Sequence, residues 1–255
     1  MTLTPYRVPC AKLSSPIRIA VIADVHADFS LPILPALRKA APDLILIPGD
    51  LTEQREILAG GADSLRFLSA CRELAPVVYA AGNHEVGCFH AKNPERKPSP
   101  RPLPQDYRDA MAARGILSVE NECREQDGIL FCGLGTGIRE GRNEPDAALL
   151  DRFHALPRDR VKILLCHHPE YYPTHLADLG MDLIVCGHAH GGQWRLFGRG
   201  IFAPGQGLFP RYTSGVHGGV CVISRGISGC TRIPRIFNAP EIPLILFGGA
   251  WRHGE

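Results

Sequence analysis

The sequence predicts an α/β fold, and three observations carry that expectation. Short apolar runs alternate with segments of helical periodicity, each run stops at a turn, and a carboxylate, amide or imidazole stands just past the stop. Residues 17–23 (IRIAVIA) are the first run and end at Asp24. A continuous run of this kind reads as a strand buried on both faces. Residues 34–41 read as a helix, and residues 43–48 (DLILIP) as a second strand entering Gly49-Asp50. Residues 62–74 place Leu65, Leu68, Cys71 and Leu74 at helical spacing. Residues 76–81 are a third strand and run into Gly82-Asn83-His84.

The stretch 92–104 (KNPERKPSPRPLP) interrupts this order. Five prolines in thirteen residues forbid a helix or a central strand. Lys92, Arg96, Lys97 and Arg101 against Glu95 leave it at +3. It reads as a solvated loop, with a basic flap over an anionic substrate or a membrane surface as the alternative. Residues 105–114 then read as a helix. Strands at 129–133 and 161–166 flank a helix at 146–155, and the second of these strands ends at His167. Residues 182–186 form a strand ending in Gly187-His188. Residues 191–219, rich in glycine and aromatics, read as long loops with short strands, and 219–224 and 242–247 as the final strands. With no internal repeat, low-complexity tract or dividing linker, one domain is expected over residues 1–255.

Composition narrows the function classes. At 255 residues a chain buries about three quarters of its unfolded surface, enough for a core without staples. A formal net charge of +2 does not suggest a globally basic chain that coats nucleic acid. The nine cysteines are scattered, with no CxxC pair. Cys132, Cys166, Cys186 and Cys221 lie in strand-like runs, where cysteine is a small buried hydrophobe, so a reducing compartment is expected. The N-terminal residues (MTLTPYRVPCAKLSSP) have no apolar signal core, and the longest apolar runs are far too short to span a bilayer. The expectation is a soluble cytoplasmic protein. A peripheral membrane contact through residues 92–101 and the apolar 244–247 run is a secondary expectation.

Asp24, Asp50, Asn83, His167 and His188 all stand past strand ends, where open α/β sheets form their sites. Asp24 and His26, two apart, project the same way from an extended segment. Asp50 can bridge two cations, Asn83 offers an amide oxygen, and His167, His188 and His190 offer nitrogens. This mixture suits Mn, Fe or Zn better than Ca or Mg. The absence of cysteine argues against a closed structural zinc site. Seven ligands with one shared carboxylate give four contacts per metal and leave open positions. Two metals about 3.5–4 Å apart form a clamp for in-line attack of water at phosphorus.

Asp24-Val25-His26, Gly49-Asp50, Gly82-Asn83-His84-Glu85, His167 and Gly187-His188-Ala189-His190 resemble, in order, the five-part signature of the calcineurin-like metallophosphoesterase superfamily. The resemblance implies a four-layer αββα sandwich of two mixed sheets flanked by helices. It implies two divalent ions, Mn, Fe, Zn or Ni. Asp24, His26 and His190 would hold the first, Asn83, His167 and His188 the second, and Asp50 would bridge. His84 would not ligate but would stand beside the phosphate as acid or electrostatic stabiliser. His167 is favoured over its neighbour His168 because it directly follows the strand; His168 would line the site. Glu53 would orient His84 or stand solvated as the start of a loop. His90, His154, His175, His217 and His253 match no motif.

Gly49-Asp50 continues to Leu51-Thr52-Glu53-Gln54 and lacks the Asp-Arg-Gly of Ser/Thr protein phosphatases. Residues 187–193, 196–199, Tyr212, Gly215, 224–227, 232–235 and 240–242 resemble a bacterial branch of small phosphodiesterases. Members of that branch are often anchored at the N-terminus, and some cleave a lipid-linked pyrophosphate; no such anchor is read here. Gln193 and Arg199 could grip a phosphate, or Arg199 could pack a loop. The expected activity is hydrolysis of a small-molecule or lipid-head-group phosphodiester or pyrophosphate, with no stable nucleic-acid partner. The alternatives are a phosphomonoesterase and a non-catalytic binding module on the same fold.

Overall fold

The computed structural model describes residues 1–88, 99–139, 142–229 and 234–249. Along the chain run β1 (Thr2–Val8), β2 (Ile17–Val21), α1 (Ile33–Ala40), β3 (Leu44–Ile47), α2 (Gln54–Leu58), α3 (Ala62–Arg72), β4 (Val77–Tyr79), α4 (Gln105–Ala113) and β5 (Ile116–Ser118). There follow β6 (Cys123–Gln126), β7 (Ile129–Leu134), α5 (Ala147–His154), β8 (Val161–Cys166), β9 (Leu183–Cys186), β10 (Gly215–His217), β11 (Cys221–Ile223) and β12 (Glu241–Phe247). One six-stranded sheet has the order β1-β12-β2-β3-β4-β5, the other β10-β11-β9-β8-β7-β6. Both are mixed: β2, β3 and β4 are parallel neighbours, as are β7, β8 and β9, whereas β12 runs antiparallel to β2 and β6 to β7.

The period of two in each strand divides the core into three apolar layers. Leu44, Leu46, Ile19 and Val21 face Ile163, Leu165 and Val185 between the sheets. Their chain neighbours Ile45 and Ile47 turn the other way, onto Leu37 of α1, Leu65 and Leu68 of α3 and Met111 of α4. On the second sheet Leu164 and Cys166 face outward onto Leu149 and Phe153 of α5. The result is the αββα sandwich. Each fully buried Leu or Ile contributes about 1.5–3 kcal/mol, so these layers dominate the favourable side of folding.

The parallel strands deliver the site. The chain leaves β2, β3 and β4 on one edge, and the loops that follow are tied to each other: Val25 N–H donates to Asp50 O at 2.8 Å, and Asp24 N–H to Gly49 O at 3.3 Å. β8 and β9 end alike, Gly187 N–H donating to His167 O at 3.2 Å.

Several expectations change. β1 was not expected; Pro5 and its polar neighbours hide it, but an edge strand tolerates proline, and β1 pairs in parallel with β12. The 244–247 run is no membrane contact: it lies within β12, between β1 and β2. Cys132 is not a lone buried thiol, because a disulfide joins it to Cys123, its partner in the β6–β7 register. Cys166, Cys186 and Cys221 are buried thiols, as expected, and Cys71 of α3 is another. Of the proline-rich stretch, residues 92–98 fall outside the described residues; the remainder buries Leu103 and leads into α4. No described helix is long and apolar enough to cross a membrane.

Glu120, just past β5, accepts the Ala81 N–H at 3.1 Å and so holds the end of β4. Burial first, then neighbouring Glu85, push its carboxyl up to about 7. Below the ordinary value of 4.5 it is protonated whether folded or not; between 4.5 and about 7 only the folded chain holds the proton, so stability falls as pH rises through that window. Glu120→Gln, which can still accept from Ala81, is expected to raise the melting temperature at about pH 8 and not at about pH 4.5. Thermal melts of both proteins at the two pH values check this; an equal gain at both would assign the effect elsewhere.

Candidate metal centre

The loops that carry the donors are strained. Asp24, His26, Asp50, His188 and His190 have φ of 55°, 51°, 52°, 63° and 46°. Left-handed backbone at a non-glycine residue costs about 1–3 kcal/mol and persists only where its surroundings over-determine it. Here they do. Asp24 Oδ1 accepts the His188 N–H at 2.9 Å, and Asp50 Oδ1 accepts the His84 N–H at 2.9 Å. Buried Glu85 accepts the N–H groups of Asp50, Leu51, Thr52 and Gly82 at 2.6–3.1 Å. Ser228 N–H donates to Asp24 O at 2.8 Å. Close approach demands glycine twice: a Cβ on Gly82 would lie 2.3 Å from Asp50 Oδ1, and one on Gly226, at φ 70°, 2.6 Å from Asp24 Oδ2.

The side chains gather into groups able to hold a cation: Asp24 with His26 and His190, and Asp50 with His167 and His188. Hydrogen bonds behind the rings fix where the lone pairs point. His167 Nδ1 is 3.0 Å from Pro48 O, and His190 Nδ1 is 3.3 Å from Ser228 O. A carbonyl oxygen only accepts, so His167 Nδ1 carries hydrogen and its Nε2 faces inward; His190 Nδ1 lies between Ser228 O, an acceptor, and the Arg235 guanidinium, a donor, at 3.4 Å. His167 Nε2 then meets Asp50 Oδ2 at 3.0 Å, and His190 Nε2 meets His26 Nε2 at 3.3 Å and Asp24 Oδ1 at 3.5 Å. His167 Nε2 and Asp50 Oδ2 at 3.0 Å can share a proton or a metal cation. Burial opposes charge on His167, yet Asp50 carries its pKa up to about 10, showing how strongly the pocket favours a cation. Asp24 Oδ2, Asn83 Oδ1 and His188 Nε2 are buried with no hydrogen-bond partner among the described residues. The donor set therefore fits divalent metal.

His84 stands at the rim. Its Nδ1 is 2.9 Å from both Glu53 oxygens, and its Nε2 is 3.9 Å from Asp50 Oδ2. Glu53 also reaches His26 Nδ1 at 3.2 Å. Burial alone would raise Glu53, but the hydrogen bonds from His26 and His84 hold it down to about 2. His84 is raised from its ordinary value: burial works against the charge, and Asp50 and Glu53 outweigh it.

The other expected residues divide. His168 is buried, with Nε2 2.8 Å from Thr136 Oγ1 and Nδ1 3.0 Å from Glu170 Oε1, and with Glu170 and His188 it makes a further group able to hold a cation. It packs edge-on against His188 with ring centroids 4.5 Å apart. Gln193 is buried just beyond His190. Arg199 lines a cleft with Arg195 and Arg211 whose walls include none of the donor residues. Sequence reasoning gave no role to Glu85, Glu170, Ser228 or Gly226. Glu85, as the last residue of its motif, and Gly226, within the 224–227 stretch, carried a signal.

Fold and donor set together define a metal-dependent phosphoester hydrolase. The chain belongs to the calcineurin-like phosphoesterase family, whose model matches residues 17–192. It is similar to the uncharacterized protein YpbG of Bacillus subtilis, with 27% identity over 97% of this chain and 88% of that one. It resembles an uncharacterized metallophosphoesterase of Helicobacter pylori, with 26% identity over 71% of this chain, and spans only 46% of that relative's length. It also resembles phosphodiesterase YaeI of Escherichia coli, with 27% identity over 72% of this chain and 64% of that one.

Gly226→Ala is expected to displace the Asp24 carboxylate and lower the metal bound after loading with Mn²⁺. Gly219→Ala, also at positive φ but with open space around the new methyl, isolates the strain. Elemental analysis of both variants checks this, and equal metal contents would refute the steric argument.

Proposed function

We propose that the chain is a metal-dependent phosphodiesterase with a dinuclear centre. Asp24, His26 and His190 hold one divalent ion, Asn83, His167 and His188 the other, and Asp50 is shared. The convergence of His167 Nε2 and Asp50 Oδ2 at 3.0 Å, with the ring N–H committed to Pro48, is the observation that carries this reading. Carboxylate, amide and imidazole together suit Mn, Fe, Zn or Ni. When bound, such ions lower the pKa of water and neutralise charge on phosphoryl oxygens.

The chain's own groups supply the rest. Asp50 commits Oδ1 to the His84 N–H, which leaves Oδ2 turned toward both donor groups. Glu53 keeps a proton on His84 Nδ1 and favours the imidazolium, whose Nε2 proton can pass to the departing oxygen. Two features support a diester: the chain lacks the arginine that follows the aspartate in protein phosphatases, and one relative bears the name phosphodiesterase.

Mn²⁺-loaded protein is expected to hydrolyse bis(p-nitrophenyl) phosphate with a higher kcat/KM than p-nitrophenyl phosphate. EDTA should abolish turnover, and Mn²⁺ should restore it. His84→Ala should lower kcat by about 10²–10⁴-fold with metal content retained. Asp50→Asn should lose both metal and activity. Preference for the monoester would replace this reading with a phosphomonoesterase. A metal-loaded protein inert on diesters, monoesters and pyrophosphates alike would leave only a binding module.

A further inference from the structure

Hydrophobic exposure is concentrated in one place. Of eleven exposed large hydrophobic side chains among the described residues, eight fall within residues 194–209 and 236–237. Phe197 is 96% exposed, Phe237 84%, Phe209 77% and Leu208 71%. These segments are one structure. Residues 195–196 pair with 199–200, and 202–203 with 207–208, as two hairpins. Trp194 bridges to Ile236, Arg195 N–H donates to Ile236 O at 3.0 Å, and Phe209 N–H to Ile201 O at 2.8 Å. Phe197, Phe209 and Phe237 sit at φ of 49°, 51° and 52°, a region bulky residues avoid. The three most exposed of these side chains thus all sit at left-handed turn positions.

Charge points the same way. From Leu183 through Pro240 the sequence has six arginines and no Asp, Glu or Lys. Because the whole chain carries 28 basic and 26 acidic residues, the remainder is net acidic. Arg195, Arg199 and Arg211 line a cleft of about 370 Å³ with Thr213 and Ser214, next to Phe209. Guanidinium forks match phosphate oxygens.

We propose that this surface docks the enzyme on a membrane carrying anionic phospholipids, with Phe197, Phe209 and Phe237 in the headgroup–acyl boundary and Arg199 and Arg211 on lipid phosphates. A bilayer accepts protruding side chains without a complementary shape, and aromatic rings settle at its interface. A nucleic acid would use the arginines and the rings but leave Leu196 and Leu208 in water. A folded partner would need a recess for every tip. Trp194 lies four residues after His190, so at most about 14 Å of chain separates the docking surface from the metal-facing groups. Docking therefore brings the donor groups to the membrane surface. The inference does not depend on which phosphoester is cleaved.

Sedimentation of the Mn²⁺-loaded chain with vesicles tests it. Retention is expected on phosphatidylcholine mixed with phosphatidylglycerol, falling with added salt, and little on phosphatidylcholine alone. The variant Phe197→Ser/Phe209→Ser/Phe237→Ser should lose retention at unchanged melting temperature and metal content; if it misfolds, Phe197→Ser alone should lower retention several-fold. Arg199→Gln and Arg211→Gln should each lower it about fivefold at low salt. No retention of the unaltered chain on anionic vesicles, or undiminished retention of a folded phenylalanine variant, overturns the proposal. So does absent vesicle binding alongside self-association, or capture by a single-stranded oligonucleotide, that the same serine substitutions abolish.

Discussion

Glu85 accepts four backbone N–H groups from two different loops while wholly shielded from water. Three belong to Asp50, Leu51 and Thr52 after β3, and one to Gly82 after β4. Burial, then the neighbouring Asp50 carboxylate, push the Glu85 carboxyl up to about 7, and the four donors work against that rise. A hydrogen bond to a charged group is worth about 1.5–3 kcal/mol, and a left-handed non-glycine residue costs about 1–3 kcal/mol. The two are the same size, so one such bond per strained residue is what the conformation needs. Asp50 is held by Glu85 in this way, and His188 by Asp24 Oδ1. The donors are presented by backbone that would relax without these carboxylates.

What the sequence made legible was whatever is encoded locally. The strands at β2, β3, β8 and β9 are continuous apolar runs, and a residue just past a parallel strand lands on the same edge as its neighbours. That reasoning located Asp24, Asp50, Asn83, His167 and His188. The dipeptide His167-His168 shows where local reasoning stops. Both are buried; the first ring meets Asp50, and the second is held by Thr136, 32 residues away, and by Glu170, two residues on. The roles of Ser228 and Gly226 were hidden because each acts on a ligand about 40 or 200 residues away in sequence. β1 was hidden because its polar side chains and Pro5 suit an edge strand and mimic an irregular tail. The Cys123–Cys132 pair was hidden because two cysteines nine apart meet only once the β6–β7 register is known.

The molecule also separates its charges by region. The acidic donors Asp24, Asp50 and Glu53 come from the loops of the first sheet, whereas Arg195, Arg199 and Arg211 follow β9 in the second and line one cleft; Arg225 is paired with Glu241. An anionic ester near the donor groups therefore has the Arg195, Arg199 and Arg211 cleft on the side of the second sheet. Because exposed charges act over about 8 Å at physiological ionic strength, this asymmetry orients a ligand near the site rather than steering it from afar.

Each metal-facing group draws on both sheets. Asp24 and His26 follow β2 of the first sheet, but their companion His190 follows β9 of the second; Asp50 follows β3, but His167 and His188 follow β8 and β9. The spacing of the donors is thus set by how Ile19, Val21, Leu44 and Leu46 pack against Ile163, Leu165 and Val185. Close-packed cores do not yield continuously, so a methyl group gained or lost in that layer shifts donors rather than being absorbed. The converse also holds. A cation bound by both sheets favours only the packed arrangement, so its binding free energy adds to the stability of the sandwich. Site geometry and inter-sheet packing are one property of this fold, which is why donors up to 166 positions apart in the chain meet within a few ångströms.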